Sequence, residues 1–177
     1  MNIKGIPEKT NFTSVLRDHK GFLWLGTFTG LFRYDGYKLR SYNNIPSDTT
    51  SLSHNYIYSF CTGKDGNILA GTYGAGLNII DQSNGLSKRI SQEETGKENI
   101  IILKTILSND GNNFWVASPG QLLKLSSDFN VVWKIDMPFI VKPETLITDI
   151  KEISPGRILI TGNDGIYLAD ENQNDTQ

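Results

Sequence analysis

The sequence has few of the residues that build cross-links, metal centres or proton-transfer sites. It contains one cysteine, Cys61, and two histidines, His19 and His54, in 177 residues. A single cysteine excludes an internal disulfide and any multi-cysteine metal site. Neither histidine has a recurring partner of the kind that metal binding or acid-base catalysis requires. We therefore expect no metal, no cofactor and no catalytic residue in this chain.

Net charge and long apolar runs are also lacking. The formal charge is −2 and the isoelectric point is about 5.7, so the clustered positive charge that nucleic acids or anionic membranes attract is missing. The sequence contains no run of about 18 apolar residues, the length that could span a membrane. Residues 1–5 lack the apolar segment of a signal peptide. We expect no nucleic-acid partner, no membrane contact by this segment and no signal peptide.

A repeated pattern is the main positive feature of the sequence. Glycines recur every 45 residues, and each precedes an apolar run, a short turn and a second apolar run. In the first copy these runs lie in residues 22–27 and 30–35, with apolar side chains at both alternating sets of positions. A strand of this kind is covered on both faces of its sheet. A 45-residue unit of four short strands is typical of a β-propeller blade.

The sequence thus predicts an all-β chain of β-propeller blades, each a four-stranded antiparallel meander. In a single partial propeller domain over residues 1–177, we predict about four blades, followed by a polar tail over 170–177. The fourth blade lacks an outer strand in this prediction, and residues 1–7 are either free or supply that strand. We expect an open arc, with a closed four-bladed ring as the alternative. The predicted blades cover residues 12–42, 57–90, 101–135 and 147–169.

Several residues are expected to have structural roles. Trp24 and Trp115, with Leu69 and Leu159 at equivalent positions, should fill the space between blades. Cys61 follows an apolar run and is expected to be buried and unreactive. The repeated glycines should form turns that require a positive φ angle. These glycines are Gly21, Gly66, Gly111 and Gly156.

The candidate ligand-binding residues come from two sets of loops that share one face of a propeller. One set joins the second and third strands of each blade, and the other joins successive blades. Aromatic rings and amides in these loops suit the stacking and hydrogen bonding by which proteins bind carbohydrates. For each residue, an ordinary turn role is the alternative. The candidates are Phe28, Tyr73, Asn163 and Asp164 from the first set, and His54 and Asn55 from the second.

The first repeat resembles the two-component regulator propeller repeat. The resemblance lies in residues 18–36, which read Asp-x-x-Gly-x-x-Trp-Leu-Gly-Thr-x-x-Gly-Leu-x-Arg-Tyr-Asp-Gly, and in the Ser-Leu-Ser-x-Asn sequence of residues 51–55. The third and fourth copies depart from the pattern at Ala117-Ser118 and Thr161-Gly162. The resemblance implies a periplasmic sensor domain of a hybrid two-component system of Bacteroidetes-type bacteria. A parent protein would then resemble a hybrid histidine kinase, and this part would sense an oligosaccharide without catalysis.

The resemblance also implies a longer parent. Propellers of this family resemble seven-bladed rings, so four blades would be an N-terminal fragment with two bare apolar faces that favour self-association. Two other function classes stay open from the residues alone. A glycan-active hydrolase or lyase would need several acidic or basic groups at the mouth of the propeller, where Asp164 is the main one. A protein-interaction scaffold would bind through its blade surfaces.

Overall fold

The computed structural model describes residues 5–90, 101–102, 104–137 and 147–176, in which every regular element is a β-strand. No helix in these residues is long and apolar enough to cross a membrane.

The strands form four antiparallel sheets, here called blades, and each sheet follows chain order. Blade one contains β1 (Phe12–Arg17), β2 (Leu23–Thr27), β3 (Gly30–Tyr34) and β4 (Leu39–Tyr42), and blade two contains β5 (Ile57–Thr62), β6 (Ile68–Thr72), β7 (Leu77–Ile80) and β8 (Ser87–Arg89). Blade three contains β9 (Lys104–Leu107), β10 (Phe114–Ser118), β11 (Gln121–Leu125) and β12 (Val131–Asp136), and blade four contains β13 (Ile147–Ser154), β14 (Arg157–Gly162), β15 (Gly165–Asp170) and β16 (Gln173–Thr176).

Blade four has its own outer strand, so the predicted polar tail without a strand is wrong. β16 pairs with β15 through Ala169 opposite Thr176 and Asp170 opposite Gln173. The Asp170 carboxylate accepts a hydrogen bond from the Asn172 backbone N–H at 3.0 Å and so closes the turn between the two strands. An edge strand needs backbone pairing on one side only, so a polar sequence can form it without an apolar pattern. Residue 177 lies outside the described residues.

The beginning of the described chain lies against blade one. A side-chain carbon placed on Gly5 would lie 3.5 Å from Leu39 of β4, and Gly5 and Pro7 line a cleft with Phe32 and Leu39. Residues 5–7 therefore do not supply an outer strand to blade four, as one alternative proposed. Residues 1–4 lie outside the described residues.

The four blades form an open arc. The inner strand of each blade packs against the next, so that β1 contacts β5, β5 contacts β9, and β9 contacts β13. Within the described ranges, no comparable packing joins β13 back to β1. The open partial propeller is therefore the observed arrangement, and the closed four-bladed ring is not.

The hydrophobic core lies between the blades. Trp24 of blade one is fully buried and packs with Ile57 and Ile68 of blade two. Trp115 of blade three is also fully buried, in a cluster that includes Ile158 of blade four. Between these two clusters, a third joins blades two and three, with Leu69, Ile102, Phe114 and Leu123.

The equivalent residue of blade four, Leu159, is only half-buried. Its neighbours in the sheet alternate with it: Ile158 and Ile160 point toward blade three and are fully buried. Leu159 points to the other side, where no further blade follows in the described chain. Its predicted role between blades is therefore not observed.

The four repeated glycines all have left-handed backbone conformations. Their φ angles are 87° at Gly21, 84° at Gly66, 70° at Gly111 and 74° at Gly156. Each lies in the turn between the first and second strand of its blade. A residue with a Cβ atom is strained in this conformation, so the 45-residue spacing of glycine follows from the repeated turn.

Candidate functional site

Four aromatic side chains form a continuous cluster across the junction of blades one and two. Tyr56 is at its centre. Its ring centroid lies 4.0 Å from that of Phe28, 5.5 Å from that of Tyr58 and 5.3 Å from that of Tyr73. The three tyrosine rings are nearly parallel, with interplanar angles of 10° to 20°. We call Phe28, Tyr56, Tyr58 and Tyr73 the aromatic cluster.

The repeat itself brings these side chains together. Phe28 follows β2, and Tyr73 occupies the same position after β6, 45 residues later. The backbone N–H of Tyr73 donates to the carbonyl of Tyr56 at 3.0 Å, just as that of Phe28 donates to Asn11 at 3.2 Å. The corresponding residues of blades three and four are Pro119 and Asn163. Aromatic residues therefore occupy this turn position only in the first two blades.

The cluster is exposed at its two ends. Phe28 is 42% exposed and Tyr73 is 48% exposed, whereas Tyr56 and Tyr58 are half-buried. Exposed aromatic rings that are held by their neighbours form a surface on which the apolar face of a flat ligand can stack. Burial raises the pKa of Tyr56, and the nearby Tyr58 and Tyr73 raise it further. The Tyr56 hydroxyl therefore remains protonated at neutral pH and can donate a hydrogen bond.

The loop that leads into Tyr56 is held by a dense set of hydrogen bonds. The Asn44 side-chain amide donates to the Leu52 carbonyl at 2.6 Å. The Asn78 side chain is fully buried and accepts from the Ser53 backbone N–H at 2.8 Å. The Arg89 guanidinium donates to the carbonyls of Ser51 and Leu52 at 3.2 and 3.1 Å. This loop therefore holds Tyr56 at a defined position before any ligand arrives.

His54 and Asn55 adjoin the cluster in sequence but use their polar atoms locally. His54 Nδ1 accepts a hydrogen bond from the Tyr56 backbone N–H at 3.1 Å. Asn55 Oδ1 accepts one from the Asn44 backbone N–H at 2.6 Å. His54 is exposed. Both residues help to position Tyr56.

Asn163 and Asp164 lie in the turn between β14 and β15 of blade four. Both are exposed. Burial raises the pKa of Tyr167, and a hydrogen bond with the Asp164 carboxylate raises it further. The six predicted ligand residues therefore divide into a group around Tyr56 and a separate pair on blade four.

A cleft of about 460 Å³ lies between blades three and four, at the end of the blades opposite to the aromatic cluster. Its charged groups are paired with one another or with the protein. Lys124 Nζ lies 2.6 Å from Glu171 Oε2. Glu152 accepts hydrogen bonds from Ser108 Oγ at 2.8 Å, from the Gly156 backbone N–H at 3.0 Å and from the backbone N–H of Asn109. In the described part of the chain, no group of three or more His, Cys, Asp or Glu side chains could hold a metal ion.

Two members of the aromatic cluster, Tyr56 and Tyr58, were not among the sequence candidates. They lie at the start of an ordinary apolar strand, where alternating tyrosines indicate one face of a sheet. The signal that could have identified Tyr56 is its 45-residue spacing from Asn11. The Asn11 carbonyl accepts a hydrogen bond from the Phe28 backbone N–H, as the Tyr56 carbonyl does from Tyr73. Tyr58 could not be placed from sequence, because its orientation depends on a local change of strand register.

Comparisons with known proteins support the repeat assignment. Residues 5–29 and 51–74 match the family model described as Two component regulator propeller. These segments contain Phe28, Tyr56, Tyr58 and Tyr73. A search of curated proteins gave no significant match.

Solved structures share the fold at low sequence identity. The extracellular domain of the putative hybrid two component system BT3049 from B. thetaiotaomicron is 19% identical, with a TM-score of 0.77 over 94% of this chain and 24% of that chain. The extracellular domain of BT4673, a putative one component system from the same organism, is 21% identical, with a TM-score of 0.75 over 99% of this chain and 23% of that chain. YCF48 from Cyanidioschyzon merolae is 16% identical, with a TM-score of 0.60 over 93% of this chain and 52% of that chain. The chain thus spans about a quarter of the length of the two B. thetaiotaomicron structures.

Proposed function

We propose that this chain, which carries two-component regulator propeller repeats, is a ligand-sensing part of a two-component signal-transduction sensor. The observation that carries the proposal is the aromatic cluster within the two segments that match the family. The likeness to extracellular domains of two-component systems supports the same role and favours a periplasmic location in a parent protein. In such a parent, ligand binding here would be relayed to a kinase.

We propose a carbohydrate as the ligand. Phe28 and Tyr73 offer exposed ring faces, which suit the apolar face of a sugar ring, and tyrosine hydroxyls can bond the hydroxyl groups at its edge. The loop from Asn44 to Ser53 is already held by hydrogen bonds, so binding requires little ordering of the chain. Asn163 and Asp164 would contact the same ligand only if it extended across the arc to blade four.

A non-catalytic role fits the composition of this site. The aromatic cluster contains no carboxylate, and the nearest titratable neighbour in sequence is His54, whose Nδ1 is engaged by the Tyr56 backbone. A glycosidase needs a pair of carboxylates on either side of the scissile bond. Glu152 and Glu171 lie in the cleft at the opposite end, where each is bonded to other protein groups.

Binding and turnover can be separated in one experiment. The purified chain is screened by thermal shift against digests of cellulose, starch, xylan, mannan, arabinan and pectin, and each digest is then analysed for new products. A rise in melting temperature without product formation supports the sensor. New products would support a hydrolase or lyase, and no response together with specific protein binding would support an interaction scaffold.

We also propose that the open ends of the arc promote self-association. Ile166 of blade four is 68% exposed and Val15 of blade one is 66% exposed, each on the outward side of its blade. Such faces favour contact with another apolar surface. Sedimentation velocity should show concentration-dependent association that Ile166→Lys weakens. A monomer at all concentrations would contradict this proposal.

A further inference from the structure

The inner strand of a blade contains a β-bulge near its start. The register between the first and second strands shifts around Thr13 in blade one, Tyr58 in blade two and Thr148 in blade four. These positions are 45 residues apart or a multiple of 45 apart. A bulge leaves one residue out of the regular ladder and turns its side chain in a new direction. The same redirected position thus recurs along the concave side of the arc.

Threonine occupies this position in blades one and four, and its hydroxyl group donates a hydrogen bond to a backbone carbonyl in each. Thr13 Oγ1 donates to the Ile57 carbonyl at 2.7 Å, and Thr148 Oγ1 donates to the Thr161 carbonyl at 3.1 Å. Blade two has a tyrosine there instead. The bulges of blades one and four therefore form without an aromatic ring, and Tyr58 is particular to blade two.

The surroundings of Tyr58 point to ligand contact. Its ring is offset-stacked with that of Tyr56 at 5.5 Å and 10°, and lies 6.4 Å from that of Tyr73 at 16°. It also packs beside the core cluster of blades three and four, which fixes the ring, yet it stays half-buried. The bulge thus places the half-buried Tyr58 ring on the concave side of the aromatic cluster. The exposed rings of Phe28 and Tyr73 lie at the rim.

We propose that Tyr58 is a specificity-determining residue that selects oligosaccharides over single sugars, an inference that rests on the proposed carbohydrate-sensing function. One sugar ring stacks at the rim on Phe28 or Tyr73, and a second reaches Tyr58 on the concave side. Rings held in nearly parallel, offset positions present successive faces, which matches a chain of linked rings and not one ring alone. The affinity of the site should therefore increase with the number of sugar units.

The replacement Tyr58→Thr tests this role, because threonine is the native residue at the bulges of blades one and four. Binding is measured by titration calorimetry with gluco-, xylo-, manno- and arabino-oligosaccharides of one to six units. The wild-type chain should bind a trisaccharide of one series at least tenfold more tightly than its monosaccharide. Tyr58→Thr should remove that gain, so that the trisaccharide and the monosaccharide bind the variant with nearly equal affinity. Tyr37→Thr is the matched control, since Tyr37 is 95% exposed in the turn between β3 and β4.

Each outcome has a distinct meaning. If Tyr73→Ala weakens binding at every length but Tyr58→Thr matches wild type at every length, the role of Tyr58 is refuted and the proposed function stands. If the wild-type chain binds no member of the panel, the carbohydrate-sensing function itself fails, and this inference fails with it. If Tyr58→Thr does not fold, a measurement on the wild-type chain tests the role instead. Nitration of wild-type Tyr58, followed by mass spectrometry, should fall in the presence of the trisaccharide and not of the monosaccharide, and equal nitration in both would also refute the role.

Discussion

The indole N–H of Trp24 donates a hydrogen bond to the Asp18 carboxylate at 2.8 Å, inside the junction of blades one and two. Asp18 is 5% exposed, and the same oxygen accepts a hydrogen bond from the Gln82 side chain of blade two at 2.9 Å. Its other oxygen accepts from the backbone N–H groups of Lys20 and Phe22 at 3.0 and 2.9 Å. One carboxylate therefore closes a turn, holds a core indole and joins two blades.

Replacing Asp18 by asparagine should destabilise the chain by about 2 kcal/mol, because the amide cannot accept all four hydrogen bonds and places its own N–H groups against donors. Urea unfolding at neutral pH measures this loss. Asp35→Asn is the matched control, since Asp35 accepts backbone hydrogen bonds in an exposed turn, and its effect should be clearly smaller. Equal losses in the two variants would contradict the special role of Asp18.

Stability should fall on acidification through Asp18 and Glu152. Burial opposes the charged form of both groups, but hydrogen bonds outweigh burial and lower the pKa below 3.8 for Asp18 and below 4.5 for Glu152. A carboxyl whose pKa is lowered by folding stabilises the folded state above its unfolded pKa, and this contribution disappears as pH falls through the folded value.

The free energy of unfolding should therefore decline below about pH 4.5, and further below pH 4. Urea titrations between pH 7 and pH 3 can follow this decline. The combined variant Asp18→Asn, Glu152→Gln should start lower at pH 7 and approach the wild type as pH falls. A constant difference between the two proteins across this range would argue against these carboxylates as the cause.

Truncation of either buried tryptophan should be severe. Trp24→Ala or Trp115→Ala leaves a large cavity between blades and should cost about 3–5 kcal/mol. Thermal and urea unfolding measure the cost. Tyr37→Ala, which removes an exposed ring, should unfold like the wild type.

Truncation of the exposed rings should separate binding from folding. Phe28→Ala and Tyr73→Ala remove ring faces that are about half exposed, so stability should change little. Binding to any oligosaccharide found in the screen should weaken about tenfold, equivalent to about 1.4 kcal/mol. Calorimetric titration alongside a melting curve checks both, and unchanged affinity in both variants would move the site elsewhere on the chain.

Cys61 should be inert in the folded protein. Burial raises the pKa of its thiol to about 12, so the reactive thiolate is almost absent at neutral pH. A maleimide added at pH 7 should label the native chain very slowly and the urea-unfolded chain within minutes. Rapid labelling of the native chain would indicate that the junction of blades two and three opens.

The sequence was sufficient to locate the blades but not their exceptions. Apolar runs and the 45-residue spacing predicted a four-stranded meander for each blade, with the outer strand of blade four missing. The polar sequence of β16 did not predict a strand, because an edge strand can form without an apolar pattern. The aromatic cluster was found in part: Phe28 and Tyr73 stand in recognisable turns, whereas the direction of the Tyr58 ring depends on a bulge that no side-chain pattern records.

The absence of β13–β1 packing in the described arc has a consequence for local stability. Blades two and three are supported on both sides, whereas blades one and four each have a single neighbour, so unfolding should begin at the ends and spread inward. Amide hydrogen exchange would then form a gradient, slowest in β6 and β10 and fastest in β16. The aromatic cluster lies at the junction of blade one with blade two, so a ligand bound there would slow the opening of the end blade.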